Sequence, residues 1–175
     1  MTLPLRLPPD ALARMVIDAA TQAGAQGYWT GAHPIHDDAV RHMVRFLGLL
    51  LAGDDDLAAS EIEVYGRVFE AVSGHRPAAD ELRAAAMESV ELASDPDGLH
   101  AFLMETPAYL AAVLEMDRER GTRNADQVVT ALSGLGVAIL AADGHAAPEE
   151  DSIITTHLNH LRGELDRYGV TATDD

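Results

Sequence analysis

The chain reads as all-α, a helical bundle of seven to eight helices built on an internal duplication, and three observations predict this. Apolar residues make up 47% of the 175, with Ala and Leu prominent and β-branched runs scarce, a composition that favours helix over strand. No stretch alternates apolar and polar residues with the two-residue period of a half-buried strand. Third, one helix–acidic turn–helix pattern occurs twice, over residues 46–74 and 135–163. Asp54, Glu61 and Gly74 precede Asp143, Glu150 and Gly163 by 89 residues each, and Phe46, Leu50, Leu51, Tyr65, Phe69 and Val72 match Leu135, Ile139, Leu140, Ile154, Leu158 and Leu161 at the same offset. A fixed offset across marker and apolar positions is the mark of a repeated supersecondary unit. The two units are expected to pack as pseudo-symmetric halves.

The elements follow in order. Residues 1–35 read as an N-terminal helix and an aromatic loop that pack on the core. Asp10 stands where an N-cap belongs, helical periodicity runs over 11–23, and Gly24 marks its end. The turn-rich stretch 25–34 holds Tyr28 and Trp29, read as a plug over the core edge, with a ligand platform as the alternative. Residues 36–170 form the main helical domain. Its first helix opens at His36-Asp37-Asp38 and runs to about Ala52, becoming apolar nearly all round, as a helix buried on several sides does. A partner helix spans 62–72 and stops at Gly74. Further helices are predicted over 80–93, 99–104 and 108–120, the last entered through Thr106 as N-cap and Pro107. A long apolar run covers 128–142, with Thr122 or Asn124 starting its helix. The last helix runs from Pro148 to Tyr168, and 171–175 form a frayed tail.

Charge narrows the function. Twelve basic residues against twenty-nine acidic ones leave a formal charge of −17. Phosphate backbones and anionic membranes are both recognised through Lys and Arg, so no nucleic acid and no membrane is expected as partner. Cations and basic protein surfaces remain compatible. The absence of Cys excludes disulfides and thiolate metal sites. The first nine residues hold one Arg and no apolar core of signal-peptide length, so a cytoplasmic protein is expected. No phosphate-cradling Gly loop, nucleophile elbow or His-Glu-x-x-His motif is present, and no catalytic residue is nominated.

The acidic turns have two readings. As helix corners, Asp143-Gly144 ends one helix, Pro148 takes the first position of the next, and Glu149 and Glu150 meet its free N–H groups and dipole. Glu61 falls at the equivalent N3 position, with Ala58 and Ala147 at the N-caps where a hydroxyl would complete a capping box. As a site, Asp54, Asp56, Glu61, Asp143, Glu149 and Glu150 supply the hard oxygen ligands that Ca²⁺ or Mg²⁺ takes. Twelve-residue EF-hand numbering from Asp54 or Asp143 reaches Tyr65 or Ile154 in place of the bidentate Glu, so these are not EF-hands. His157, His160 and Glu164, at i, i+3 and i+7 of one helix, make a second metal candidate, set against a simple half-buried core His157.

Ala141-Ala142-Asp143-Gly144, followed by Glu150 seven positions after the Asp, resembles the TerB-like helical domains of tellurite-resistance proteins, which also occur in the N-terminal region of the DjlA-type co-chaperone. Thr106-Pro107-Ala108-Tyr109-Leu110 and Asp117-Arg118-Glu119-Arg120-Gly121-Thr122 are similar to stretches of larger, ATPase-associated relatives. The likeness covers about residues 40–165. Asp55 departs from it, standing where the family pattern has Gly. The resemblance implies an all-helical, internally duplicated fold and a non-catalytic binding or regulatory module in a stress-response assembly. It also implies a divalent cation held by Asp54, Glu61, Asp143 and Glu150, and a protein partner such as an AAA+ ATPase. A metal-dependent enzyme using the same carboxylates and a purely structural adaptor are the competing classes.

Overall fold

A computed structural model describes residues 7–52, 58–142, 144 and 148–170. Among the described residues there are eight helices and no strand: α1 Pro9–Ala25, α2 Ile35–Leu51, α3 Ala59–Ser73, α4 Ala79–Ala93, α5 Pro96–Leu103, α6 Ala108–Arg120, α7 Asn124–Leu140 and α8 Pro148–Tyr168. The tail at 171–175 lies outside them.

The all-round apolar character of α2 has its reason in the packing. This helix touches α1, α3, α4, α6, α7 and α8, and Phe46, Leu47, Leu49, Leu50 and Leu51 are completely buried around its circumference. A helix surrounded in this way needs no polar stripe. Helix α1 lies against α2, α3, α6 and α7 through Leu12, Val16 and a small-residue face of Ala13, Ala20 and Ala23. It belongs to the same continuous core as the rest of the chain. Backbones approach closely at two points: a Cβ at Gly134 of α7 would stand 2.8 Å from Leu12 Cδ1, and one at Gly24 of α1 2.8 Å from Ile35 Cγ2. Gly24 is therefore a packing position inside α1, and the chain turns at Gly27, where φ is +85°.

Several helix ends differ from expectation by one residue or one turn. Pro8, not Asp10, is the N-cap of α1, and Asp10 sits in its first turn, where its carboxylate pairs with Arg67 of α3 at 2.9 Å. Pro107 is the N-cap of α6 rather than its first residue, and its start is closed from another helix: the Tyr109 N–H donates to Asp38 Oδ2 of α2 at 3.0 Å. Gly74, Gly121 and Gly169 all end helices with positive φ. Tyr28 and Trp29 are half-buried against the core, Tyr28 donating to Glu119 at 2.8 Å and the Trp29 indole to the His33 carbonyl at 2.7 Å.

Candidate functional site

The acidic corners come first. Asp54, Asp56 and Asp143 lie outside the described residues. Glu61 and Glu150 are both buried at 1% exposure, in the first turns of α3 and α8, while Glu149 is exposed. The Glu61 carboxylate accepts the Ala58 N–H at 3.0 Å, the reciprocal half of a capping box that works without the N-cap hydroxyl. Glu81 does the same for Ala78 at 2.8 Å, at the start of a helix that follows no repeated acidic turn. The N3 glutamate is thus a helix-starting device this chain uses more than once.

The described residues that flank the two corners are nonetheless neighbours. Ala52, at the end of α2, shares a cavity of about 500 Å³ with Pro148, Glu149, Ser152 and Ile153 at the start of α8. Leu99 and Leu103 of α5 form its apolar wall. The residue before one turn and the residues after the other therefore line one cleft. Among the described residues no group of three His, Asp or Glu side chains is close enough to hold a metal. The second metal candidate separates into three: His157 turns inward, His160 Nε2 meets Thr106 Oγ1 at 3.2 Å, and Glu164 pairs with Arg167 at 2.9 Å.

The inward turn of His157 makes the most polar feature of the core, one that the sequence showed only as an ambiguous histidine. His157 Nε2 and His42 Nε2 lie 3.0 Å apart, both rings buried. His157 Nδ1 is 2.9 Å from the Leu103 carbonyl, and His42 Nδ1 is 3.2 Å from the Tyr109 hydroxyl. These partners dictate the tautomers. A carbonyl only accepts, so His157 carries its proton on Nδ1 and offers Nε2 as acceptor. His42 then donates from Nε2, and its Nδ1 accepts from the Tyr109 hydroxyl. The result is one directional chain, Tyr109 to His42 to His157 to Leu103, satisfied with every member neutral. Phe102 stacks on both rings, and Phe46 stacks on His42 and lies tilted against His157.

Electrostatics agrees with that reading. Burial, with His157 adjacent, holds His42 well below the usual histidine range. Burial also lowers His157, opposed by its hydrogen bond to the Leu103 carbonyl and aided by His160. Burial, reinforced by Asp38, raises Tyr109, which remains a donor.

A second buried polar device joins α6 to α7. Asp117, 1% exposed, accepts from Thr122 Oγ1 at 2.5 Å, Asn124 Nδ2 at 2.8 Å and the Ala125 N–H at 2.6 Å. Neither Thr122 nor Asn124 caps α7 from the N-cap position; they orient the Asp117 carboxylate that does so from the preceding helix.

No family model, curated protein or solved structure matches the chain.

Proposed function

We propose that the chain is a non-catalytic binding module, similar to the TerB-like domains, whose two acidic corners act together on a divalent cation or on a basic surface of a protein partner. The observation that carries this reading is the shared cleft: Ala52 precedes one acidic turn, Pro148 and Glu149 follow the other, and all three line one cavity. The internal duplication is part of the proposal. In its support, α2 packs on α7, and the cross contacts are reciprocal, α3 with α7 and α8 with α2.

Glu61 and Glu150 hold the corners in shape in this reading, and Asp54, Asp56, Asp143 and Glu149 present the oxygen ligands. The buried histidines serve the core rather than chemistry, since their protons are all committed to internal partners. An ATPase-containing stress assembly rests on the family resemblance alone.

The test is calorimetric titration of Ca²⁺, Mg²⁺, Mn²⁺ and Zn²⁺ into chelator-stripped protein and into the Asp54→Asn/Asp143→Asn variant. The reading expects saturable, stoichiometric binding that the variant loses. Equal heats in both proteins would remove the corners as the cation site. Metal-dependent turnover would replace the module with the enzyme class.

A further inference from the structure

On the face of α2 away from the acidic corners is a cavity of about 190 Å³. Asp38, Arg41, His42 and Arg45 form one wall, at the i, i+3, i+4 and i+7 spacing that places side chains on one helix face. Phe102 of α5, Glu105 just past its end, and Pro107 and Ala108 at the start of α6 form the other. We propose that this cavity is a binding site for a small carboxylate ligand with an apolar body, its carboxylate held between the Arg41 and Arg45 guanidiniums and its body laid against Phe102 and Pro107.

The argument rests on what these groups are already doing. Arg14, Arg67, Arg76, Arg118 and Arg167 are all engaged by carboxylates. Arg83, Arg120, Arg123 and Arg162 form no ion pair among the described residues, so an unpaired guanidinium is common here. What distinguishes Arg41 and Arg45 is that both line one cavity. Arg41 and Arg45, both exposed, form no ion pair among the described residues, although two acids line the same cavity. Asp38 is committed elsewhere, its Oδ2 accepting the Tyr109 N–H and facing the positive end of α6. Arg45 is held over the Phe102 ring at 5.9 Å, which fixes its stem and leaves its N–H fork available. Two guanidiniums one helical turn apart present donors in the planar fork that matches a carboxylate.

The charge of the ligand follows from the remaining wall. His42 is neutral, and Asp38 and Glu105 formally balance the two arginines, so a single negative charge is tolerated better than the two of a phosphate monoester. The stacked His42 and Phe102 rings, 5.7 Å between centroids, and Pro107 supply the apolar floor. An apolar floor with a few convergent polar groups is the usual make-up of a small-molecule site.

The experiment is an NMR titration of the whole chain with benzoate, with benzyl alcohol as its uncharged counterpart and phenyl phosphate as its dianionic one. It is repeated on Arg41→Gln/Arg45→Gln, whose substitutions are on the surface and whose folding is checked by circular dichroism. Benzoate is expected to give saturable shifts at the Phe102 and Ala108 amides. Its Kd should rise by about tenfold or more in the double variant, the loss of at least one charge-assisted hydrogen bond. Benzyl alcohol should bind far more weakly, and phenyl phosphate no better than benzoate. Shifts that do not saturate, an unchanged Kd in the folded variant, or equal binding of benzyl alcohol would each overturn the site. Tighter binding of phenyl phosphate would overturn the carboxylate assignment. None of these outcomes depends on whether the acidic corners bind a cation.

Discussion

The buried histidine chain makes acid sensitivity a quantitative test of the fold. In the unfolded chain His42 and His157 titrate near the ordinary histidine value of about 6.5; in the folded chain both lie lower because burial penalises the charged ring. Below 6.5 the unfolded state therefore binds protons that the folded state refuses, and stability falls as pH falls. The contribution is fully present above 6.5 and is lost on acidification, down to the point where the folded rings themselves protonate. With His42 neutral in the folded chain its slope approaches about 1.4 kcal/mol per pH unit below 6.5, so acidification from about pH 7.5 to 5.5 removes about 1.4 kcal/mol through His42, and His157, lowered in the same direction, adds to the loss. A second charge would in any case meet the first at 3.0 Å, Nε2 to Nε2. The control is His42→Gln/His157→Gln. An amide at each position can donate to one neighbour and accept from the other, which keeps the direction of the chain from Tyr109 to Leu103 but removes both titrations. Denaturant unfolding followed by circular dichroism at each pH gives the two stability curves, and the other histidines and the carboxylates cancel in the comparison. The wild-type curve should fall more steeply by at least that amount. Parallel curves would refute the neutral pair.

Other expectations follow from single contacts. Nitrogen chemical shifts at neutral pH should show His42 protonated on Nε2 and His157 on Nδ1; the reverse assignment in either ring would break the chain. Asp117→Ala strands three donors at the α6–α7 junction and should cost about 3 kcal/mol in chemical denaturation, with Asp117→Asn recovering only part. Gly48→Ala places a methyl 2.3 Å from Ser89 Oγ and 3.1 Å from its Cβ and should cost about 1–3 kcal/mol, a loss that Ser89→Gly should largely relieve if overpacking is the cause. Gly74→Ala meets no neighbour but holds φ at +72°, and should cost about 1 kcal/mol through backbone strain alone.

What was legible in the sequence was whatever is local. The helix ending at Gly74 and the last helix from Pro148 to Tyr168 stand where glycine, proline and periodicity put them. The buried circumference of α2 was readable because apolar residues crowd every face of its last turns. What was not legible is non-local. Asp38 and Asp117 each close the start of a helix other than their own, and no local capping pattern marks a carboxylate acting across 71 residues or from a preceding helix. Nothing local marks His42, because a single histidine between Arg41 and Met43 shows neither its burial nor its partners. His157 was grouped with His160 and Glu164 because helical spacing is visible in a sequence, whereas a partner 115 residues away is not.

Short α5 shows what such non-local placement achieves. Its consecutive residues Phe102 and Leu103 face two different cavities, Phe102 the arginine-lined one and Leu103 the cleft between the acidic corners. Between them runs the histidine chain, with His42 in the wall of the first cavity and the Leu103 carbonyl accepting from His157 at the edge of the second. A chain satisfied in one direction admits only one arrangement of its members, since reversing His42 would set two buried acceptors against each other and reversing His157 two buried donors. The neutral pair therefore fixes α2, α5, α6 and α8 against one another at the point where both cavities meet, and the rigidity of each cavity wall depends on the same four hydrogen-bonding groups.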